Sequence, residues 1–321
     1  MAITLAEWAK SGKDVLERGV VKSWLMHYPF LAEFTVDGIE GFETEWLIEQ
    51  ELPTVGWRSL NEAFTESTGK IEKRRAGLGL LGGLIDIELR FLRGGNRIDQ
   101  AAQQMSMKTR SMGYTLANTI VNGSLASDPE TFDGVLRQVT ELNARNSRQV
   151  INASGLDLTT FAARAANAQA LVYYFNQAIT RVEAYCGHKP KVALMSENMK
   201  LALVDALSSG GYFRTDKDSF DRDVDTWGGV QLRHAGWTSP TSAGGTEIIT
   251  DTWDGDGYTS ILFVLPGSDY TSLIQQGGLE KTHIGPTENG VWDRWKIEHA
   301  IGMRVKDNGS IVRLRGLDIT A

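Results

Sequence analysis

Three groups of side chains in this sequence have the types that could do chemistry. Gly77, Gly79 and Gly82 satisfy G-x-G-x-x-G, the pattern of a dinucleotide phosphate loop. Such a loop needs an apolar strand before it and a helix after it, so that backbone N–H groups and the helix N-terminus meet the pyrophosphate. The residues before it are the charged run Ile71-Glu72-Lys73-Arg74-Arg75-Ala76, and Leu84 to Leu92 after it looks extended. Flexible backbone at a junction is the better-supported reading. The second group is Cys186 with His188 close by; adjacency in sequence does not hold a base against a thiol, and a lone cysteine reads as a small hydrophobe. The third is basic: Arg90, Arg93, Arg97, Lys108 and Arg110, opposed only by Asp99. These would suit nucleic-acid phosphates without sequence preference, against the plainer reading of ordinary helix-surface charge.

Metal chemistry has no support in the spacing. His27, His188, His234, His283 and His299 form no i, i+4 pair and no H-E-x-x-H. Asp251, Asp254 and Asp256 miss the calcium-loop spacing, and Leu262 stands where the closing Glu would be. The run Asp216, Asp218, Asp221, Asp223, Asp225 reads as a solvated loop. No nucleophile elbow, P-loop or kinase set is present. The expectation is a non-enzyme with no catalytic residue, cofactor or metal.

Composition narrows the class further. A chain of 321 residues can bury a core without staples. Its 33 basic and 40 acidic residues leave a net charge of −7, which excludes a globally basic nucleic-acid binder. One cysteine excludes a disulfide framework. Thr4 and Glu7 have capping-box spacing, so the N-terminus reads as a helix and not as a secretory signal. Leu78 to Ile85, the most apolar stretch, is far too short for a bilayer, and a soluble protein made in a cytoplasm is expected. Glycine, with 34 residues, is in excess of the usual share.

The elements follow from period and punctuation. Phe42, Thr44, Trp46 and Ile48 alternate with Glu43, Glu45 and Glu49, which predicts a strand that Pro53 and Gly56 end. A polar limb returns from Ala63 to Arg75. The first limb carries Glu43, Glu45, Glu49 and Glu51, the second Lys70, Lys73, Arg74 and Arg75, which suits cross-strand pairing. Neither limb has enough apolar residues for a core, so the hairpin is a solvated arm or a surface that docks on another subunit. Ile98, Ala101, Ala102, Met105, Met112, Leu116 and Ile120 then mark a long helix, with Asn96 as cap and Asn122-Gly123 as stop. A second helix is predicted over 158–185, capped by Asp157 and stopped by Gly187. Lys191 to Met195 form a strand running into a helix opened by Ser196, and strands recur at Ile248–Trp253 and Ser260–Leu265. Alternation from Arg294 to Val305, the turn Asp307-Asn308-Gly309, and the run from Ile311 to Leu317 predict a terminal hairpin.

This order resembles the major capsid proteins of tailed bacteriophages, with the Hong Kong 97-type fold. The string from Glu51 to Leu78, with Pro53-Thr54-Val55-Gly56 and Thr65-Glu66-Ser67-Thr68-Gly69, is similar to that family's extended loop. Arg97 to Gly123 resembles its spine helix, Phe132-Asp133-Gly134-Val135 the short element after it, and Lys191 to Leu207 the strand-then-helix of its axial domain. The resemblance implies an α+β fold: N-terminal arm (1–40), extended β-hairpin loop (41–83), peripheral domain with spine helix (84–145), axial α/β domain (146–278) and a terminal β-hairpin of the peripheral domain (279–321). It implies a subunit that assembles with itself into pentamers and hexamers, closing an icosahedral virion shell around double-stranded DNA. Scaffolding protein, portal and decoration protein are the implied partners, and no membrane is involved. The loop contacts on a neighbour would be Glu43, Glu45, Glu49, Glu51, Trp57, Arg58, Lys70, Lys73, Arg74 and Arg75. Gly77, Gly79, Gly82 and Gly83 would serve as hinges, and the basic group would face DNA. An encapsulin-type compartment is the nearer alternative, and a nucleotide-binding α/β enzyme the farther one.

Overall fold

The computed structural model describes residues 3–4, 24–89, 97–208, 214–217, 221–240, 244–255 and 257–320. The N-terminal half contains β1 (Ile3–Thr4), β2 (Thr35–Gly38), β3 (Glu43–Glu51), β4 (Lys70–Gly77), β5 (Gly79–Glu88), then helices α1 (Arg97–Asn122) and α2 (Val135–Asn146). Next come β6 (Val150–Asp157), α3 (Phe161–Cys186), β7 (Val192–Met195), α4 (Glu197–Ser208), β8 (Arg214–Lys217), β9 (Asp223–Trp227) and β10 (Val230–His234). The chain ends with β11 (Thr259–Val264), β12 (Thr271–Pro286), β13 (Trp292–Val305) and β14 (Ile311–Asp318). A five-stranded sheet has the order β1-β2-β12-β13-β5 and a seven-stranded sheet the order β6-β14-β11-β7-β10-β9-β8. β3 and β4 pair only with each other. The α+β class is as expected.

Two hydrophobic clusters meet through the seven-stranded sheet. Val192 and Leu194 of β7 belong to the cluster that includes α1 and the five-stranded sheet, whereas Ala193 and Met195 belong to the one under α3 and α4. β11 divides the same way, Leu262 and Val264 against Ile261 and Phe263. A strand covered on both faces has no polar side, which is why Val192-Ala193-Leu194-Met195 shows no alternation.

The first cluster is built around an aromatic segment. Trp24, Tyr28, Phe30 and Phe34 are all buried. Trp24 Nε1 donates to the Thr109 carbonyl at 2.7 Å, and its ring lies where a Cβ on Gly113 would be, 2.6 Å away. A mid-helix glycine costs about 1 kcal/mol, and here it makes room for the indole. Tyr28 reaches across and donates to the Trp237 carbonyl at 2.5 Å. The described part of the expected N-terminal arm, residues 24–38, is therefore core and sheet.

Several expectations are corrected by non-local pairing. The runs flanking Asp307-Asn308-Gly309 are strands, but they do not form a hairpin: β13 pairs with β12 and β5, while β14 pairs with β11 and β6. The turn carries the chain from one sheet to the other, so 279–321 is not one unit of the peripheral domain. The antiparallel pair β12–β13 forms the hairpin of the five-stranded sheet, and β12 begins inside the stretch expected to be axial. Ile248–Trp253 is a series of turns, with Ile248 and Ile249 buried. Of the acidic run, Asp216 lies in β8 and Asp223 and Asp225 in β9, which pair with each other, Asp221 lies between the two strands, and Asp218 falls outside the described residues. α3 is capped by Thr160, whose hydroxyl accepts from Ala163 N at 3.1 Å, while Asp157 accepts from Thr159. Thr4 lies in a strand paired with β2, and Glu7 and Asn96 are outside the described residues.

The glycines of the G-x-G-x-x-G string sit where β4 passes into β5, so two strands flank it and no helix follows. Gly82 and Gly83 are within the β5–β13 ladder, opposite Glu298 and Ile297. A Cβ on Gly82 would strike the Ile297 carbonyl oxygen, which is backbone and cannot yield. A Cβ on Gly83 would meet only the flexible stem of Lys108. Gly82→Ala is expected to destabilise the folded chain by about 1–3 kcal/mol and Gly83→Ala by well under half as much, read as urea midpoints; equal effects would discount the backbone clash.

His299 is buried against Trp24, with Nε2 3.1 Å from Gln275 Oε1. Burial pulls its pKa down from 6.5 to about 4. As pH falls, the unfolded chain takes up this proton before the folded one. Stability present above about pH 6.5 is therefore lost toward pH 4, by on the order of 3 kcal/mol. His299→Gln should flatten that part of the stability–pH curve, and an unchanged slope would assign the acid sensitivity elsewhere.

Candidate intersubunit surface

The arm begins with a ladder that charge holds in register. Glu45 pairs with Arg75, Leu47 with Lys73, Ile48 with Glu72 and Glu51 with Lys70. On the outer face the ion pairs are Glu51–Lys70 at 2.7 Å, Glu43–Arg75 at 3.4 Å, and Glu45–Lys73, the last two diagonal to the register. All these side chains are largely exposed, so each pair contributes a few tenths of a kcal/mol and weakens with salt. Glu49 stands opposite Ile71. The expected sign pattern is thus realised as pairs across the arm, which leaves less free charge for a partner than the sequence suggested.

The inner face does different work. Thr44, Trp46 and Ile48 are half-buried on β3, and Glu72 and Arg74 on β4. Glu72 accepts a hydrogen bond from Arg145 in the last turn of α2, and that bond holds its carboxyl below the usual range. Burial, followed by the nearby Arg145, lowers Arg74. The Glu72–Arg145 pair links the arm to the body, and sequence distance hid it.

Beyond the ladder, residues 52–69 form a loop whose side chains are all exposed. It has internal order: Arg58 Nη1 donates to the Glu62 carbonyl at 2.8 Å, Glu62 Oε2 accepts from Ser59 N at 3.2 Å, and Ser67 Oγ donates to the Thr54 carbonyl at 3.0 Å. The Arg58 guanidinium lies 5.1 Å from the Phe64 ring centre. Trp57 is fully exposed (105%), Leu60 95% and Val55 90%. The tip is thus apolar where the limbs below it carry charge. The signal for the apolar tip was Val55, Trp57, Leu60 and Phe64 recurring without a helix or strand period.

At the arm's base only Leu78 separates β4 from β5, and its N–H donates to the Phe42 carbonyl at 2.9 Å. The basic group is not assembled into one patch by the described residues. Lys108 is half-buried beside Gly83, and Arg110 is exposed on α1. Arg97 opens α1. Arg90 and Arg93 lie outside the described residues.

Other chemistry finds little footing. Burial, with Asp307 nearby, pushes the Cys186 thiol up to about 12, and His188 Nδ1 lies 3.0 Å from the Cys186 carbonyl, not on the sulfur. A depression of about 400 Å³ on α3, lined by Tyr173, Asn176, Gln177, Thr180, Arg181 and Ala184, offers no carboxylate, thiol or imidazole. Among the described residues no group of three or more His, Cys, Asp or Glu could hold a metal ion. None of their helices is long and apolar enough to cross a membrane. Asp254 accepts from Arg313 at 2.5 Å, Arg315 at 3.1 Å and Gly316 N at 3.1 Å, a buried clamp for β14.

The solved structures that superpose on this body and its ribbon show the fold to be of the Hong Kong 97 type. Residues 29–159 match the family model described as Major capsid protein GP7. No curated protein matches by sequence. The holo-SrpI encapsulin complex from Synechococcus elongatus PCC 7942 superposes with a TM-score of 0.63 at 16% identity, covering 95% of this chain and 90% of that one. The capsid of a native GTA particle gives 0.57 at 14% identity, over 93% and 90%. A structure from Mycobacterium phage Bobi gives 0.56 at 11%, over 92% and 90%.

Glu72→Gln or Arg145→Ala should loosen the arm without unfolding the body. Amide exchange within Glu43–Glu51 and Lys70–Gly77 should rise several-fold while the thermal midpoint moves little; unchanged exchange would mean the pair does not secure the arm.

Proposed function

We propose that the protein is the structural subunit of an icosahedral virion shell, forming pentamers and hexamers that enclose packaged double-stranded DNA. The observation that carries this is the arm: a ribbon without a core, ending in Trp57, Leu60 and Val55 exposed to solvent. Exposed apolar surface of that kind marks an interaction site, and a shell supplies a neighbour for every arm. The match to a major capsid protein model and the phage and GTA capsid folds support the same reading. Loop residues Glu43, Glu45, Glu49, Glu51, Trp57, Arg58, Lys70, Lys73, Arg74 and Arg75 are proposed to face the neighbouring subunit. Gly77 and Gly79 are the terminal rungs of their ladders with only Leu78 between them, so the hinge is proposed at Gly77-Leu78-Gly79, whereas Gly82 and Gly83 lie further inside the β5–β13 ladder. Arg110 is a candidate contact to DNA, and scaffolding, portal and decoration proteins are the proposed partners.

An encapsulin-type compartment is the second reading, favoured by the SrpI superposition over nearly the whole chain. The nucleotide-binding reading loses its footing, since the glycine string joins two strands and no helix N-terminus follows it.

Electron microscopy of the purified protein decides between the two. Closed icosahedral particles containing nuclease-protected DNA, or bound to a portal ring, are expected. Particles filled with protein would establish the compartment, and a monomer that stays monomeric would overturn both.

A further inference from the structure

The arm's tip is preorganised yet has nothing to sit on. Its loop is set by Arg58, Glu62, Ser67 and Thr54, so Trp57 is held out from a fixed frame and would lose little freedom on docking. Trp and Arg are also the residue types that dominate interface energy. None of residues 52–69 is covered by the rest of its own chain, so the tip's seat is to be sought on another molecule.

The outer face of β5 has the matching shape. Ile85 and Ile87 face the core and Gly83 the stem of Lys108, which turns the alternate residues Leu80, Gly82 and Leu84 to the opposite face. Leu80 is 58% and Leu84 50% exposed, unusual for a leucine pair on a sheet. Between them Gly82 can carry no side chain, because a Cβ would strike the Ile297 carbonyl. The strand thus keeps a residue without a side chain between two leucines whose Cα atoms are about 13 Å apart, with the β13 backbone at Ile297 and Glu298 lying against it, and a flat ring spans that distance. In register on β13 lie Ala300, Glu298 and Lys296, the last two ion-paired. They offer a carboxylate for Arg58 beside Trp57 and an ammonium for the indole face. β5 is the end strand of its sheet, so the notch is open from the side.

We infer that the Leu80–Gly82–Leu84 notch receives Trp57 of a second copy of this chain. The inference rests on the shell reading and adds to it the seat of the tip.

The test is Trp57→Cys with Leu84→Cys in a Cys186→Ser background, oxidised after assembly. Covalent multimers on a denaturing gel are expected from particles, and only monomer from either single-cysteine variant or from Trp57→Cys with Leu201→Cys on α4. Particles that run as monomer would overturn the notch and leave the shell reading standing. No particles from the unsubstituted chain would overturn the shell reading and the notch with it. Should the double-cysteine chain not assemble, Trp57→Phe and Trp57→Ala replace it. The alanine variant should need about tenfold more protein to assemble, the phenylalanine variant about threefold or less, and equal effects would overturn the notch.

Discussion

Strand β7 is apolar at all four positions because each of its faces belongs to a different core. Val192 and Leu194 close the cluster beneath the aromatic segment and α1, while Ala193 and Met195 close the one beneath α3 and α4. Burial of a side chain of this size is worth about 1.5–3 kcal/mol, and here a single strand contributes to both domains at once. The two hydrophobic clusters are therefore tied through shared strands. Within the first cluster, Asn122 at the end of α1 donates to the Ile248 carbonyl at 2.8 Å, and Trp253 Nε1 donates to Asn122 Oδ1 at 2.9 Å.

Against that rigid body the arm is built on opposite principles. Its stabilising contacts are backbone ladder bonds and exposed ion pairs, each small and salt-sensitive. Its apolar residues point outward at the tip. Among the described residues Glu72–Arg145 and the half-buried inner face, Trp46 and Ile48 included, hold it to the body. An element held by few buried contacts, attached to a well-packed body, suits the proposed contact with non-equivalent neighbours. In the proposed shell the small energy of each arm contact would be no obstacle, since every subunit would repeat it.

Much of the local structure was legible from residues near one another. The alternation of Trp46 and Ile48 with Glu43, Glu45 and Glu49 specifies a strand, and the opposite limb's cations specify its partner, because both sides of that hairpin are close in sequence. Gly187, with φ +69°, ends α3 as expected. The candidate surface was less legible. Trp57 and Arg58 were placed on the loop, but the apolar character of its tip becomes evident only when nothing covers it. The glycine excess around the arm suggested hinges, whereas Gly82 is fixed by a carbonyl on β13, more than two hundred residues away in sequence.

What the sequence by itself determined is thus the set of elements, their order and the polarity of each face, all governed by periods of two and 3.6 residues and by caps and turns acting within a few positions. What only the tertiary structure decided is which strands pair. Asp307-Asn308-Gly309 makes the same tight turn whether it closes a hairpin or passes the chain between sheets. The choice is made by burial: Met303 and Val305 complete one core, and Val312 and Leu314 complete the other. Backbone hydrogen bonds are alike in either arrangement, so side-chain packing between distant segments settles the topology, and no local pattern encodes it.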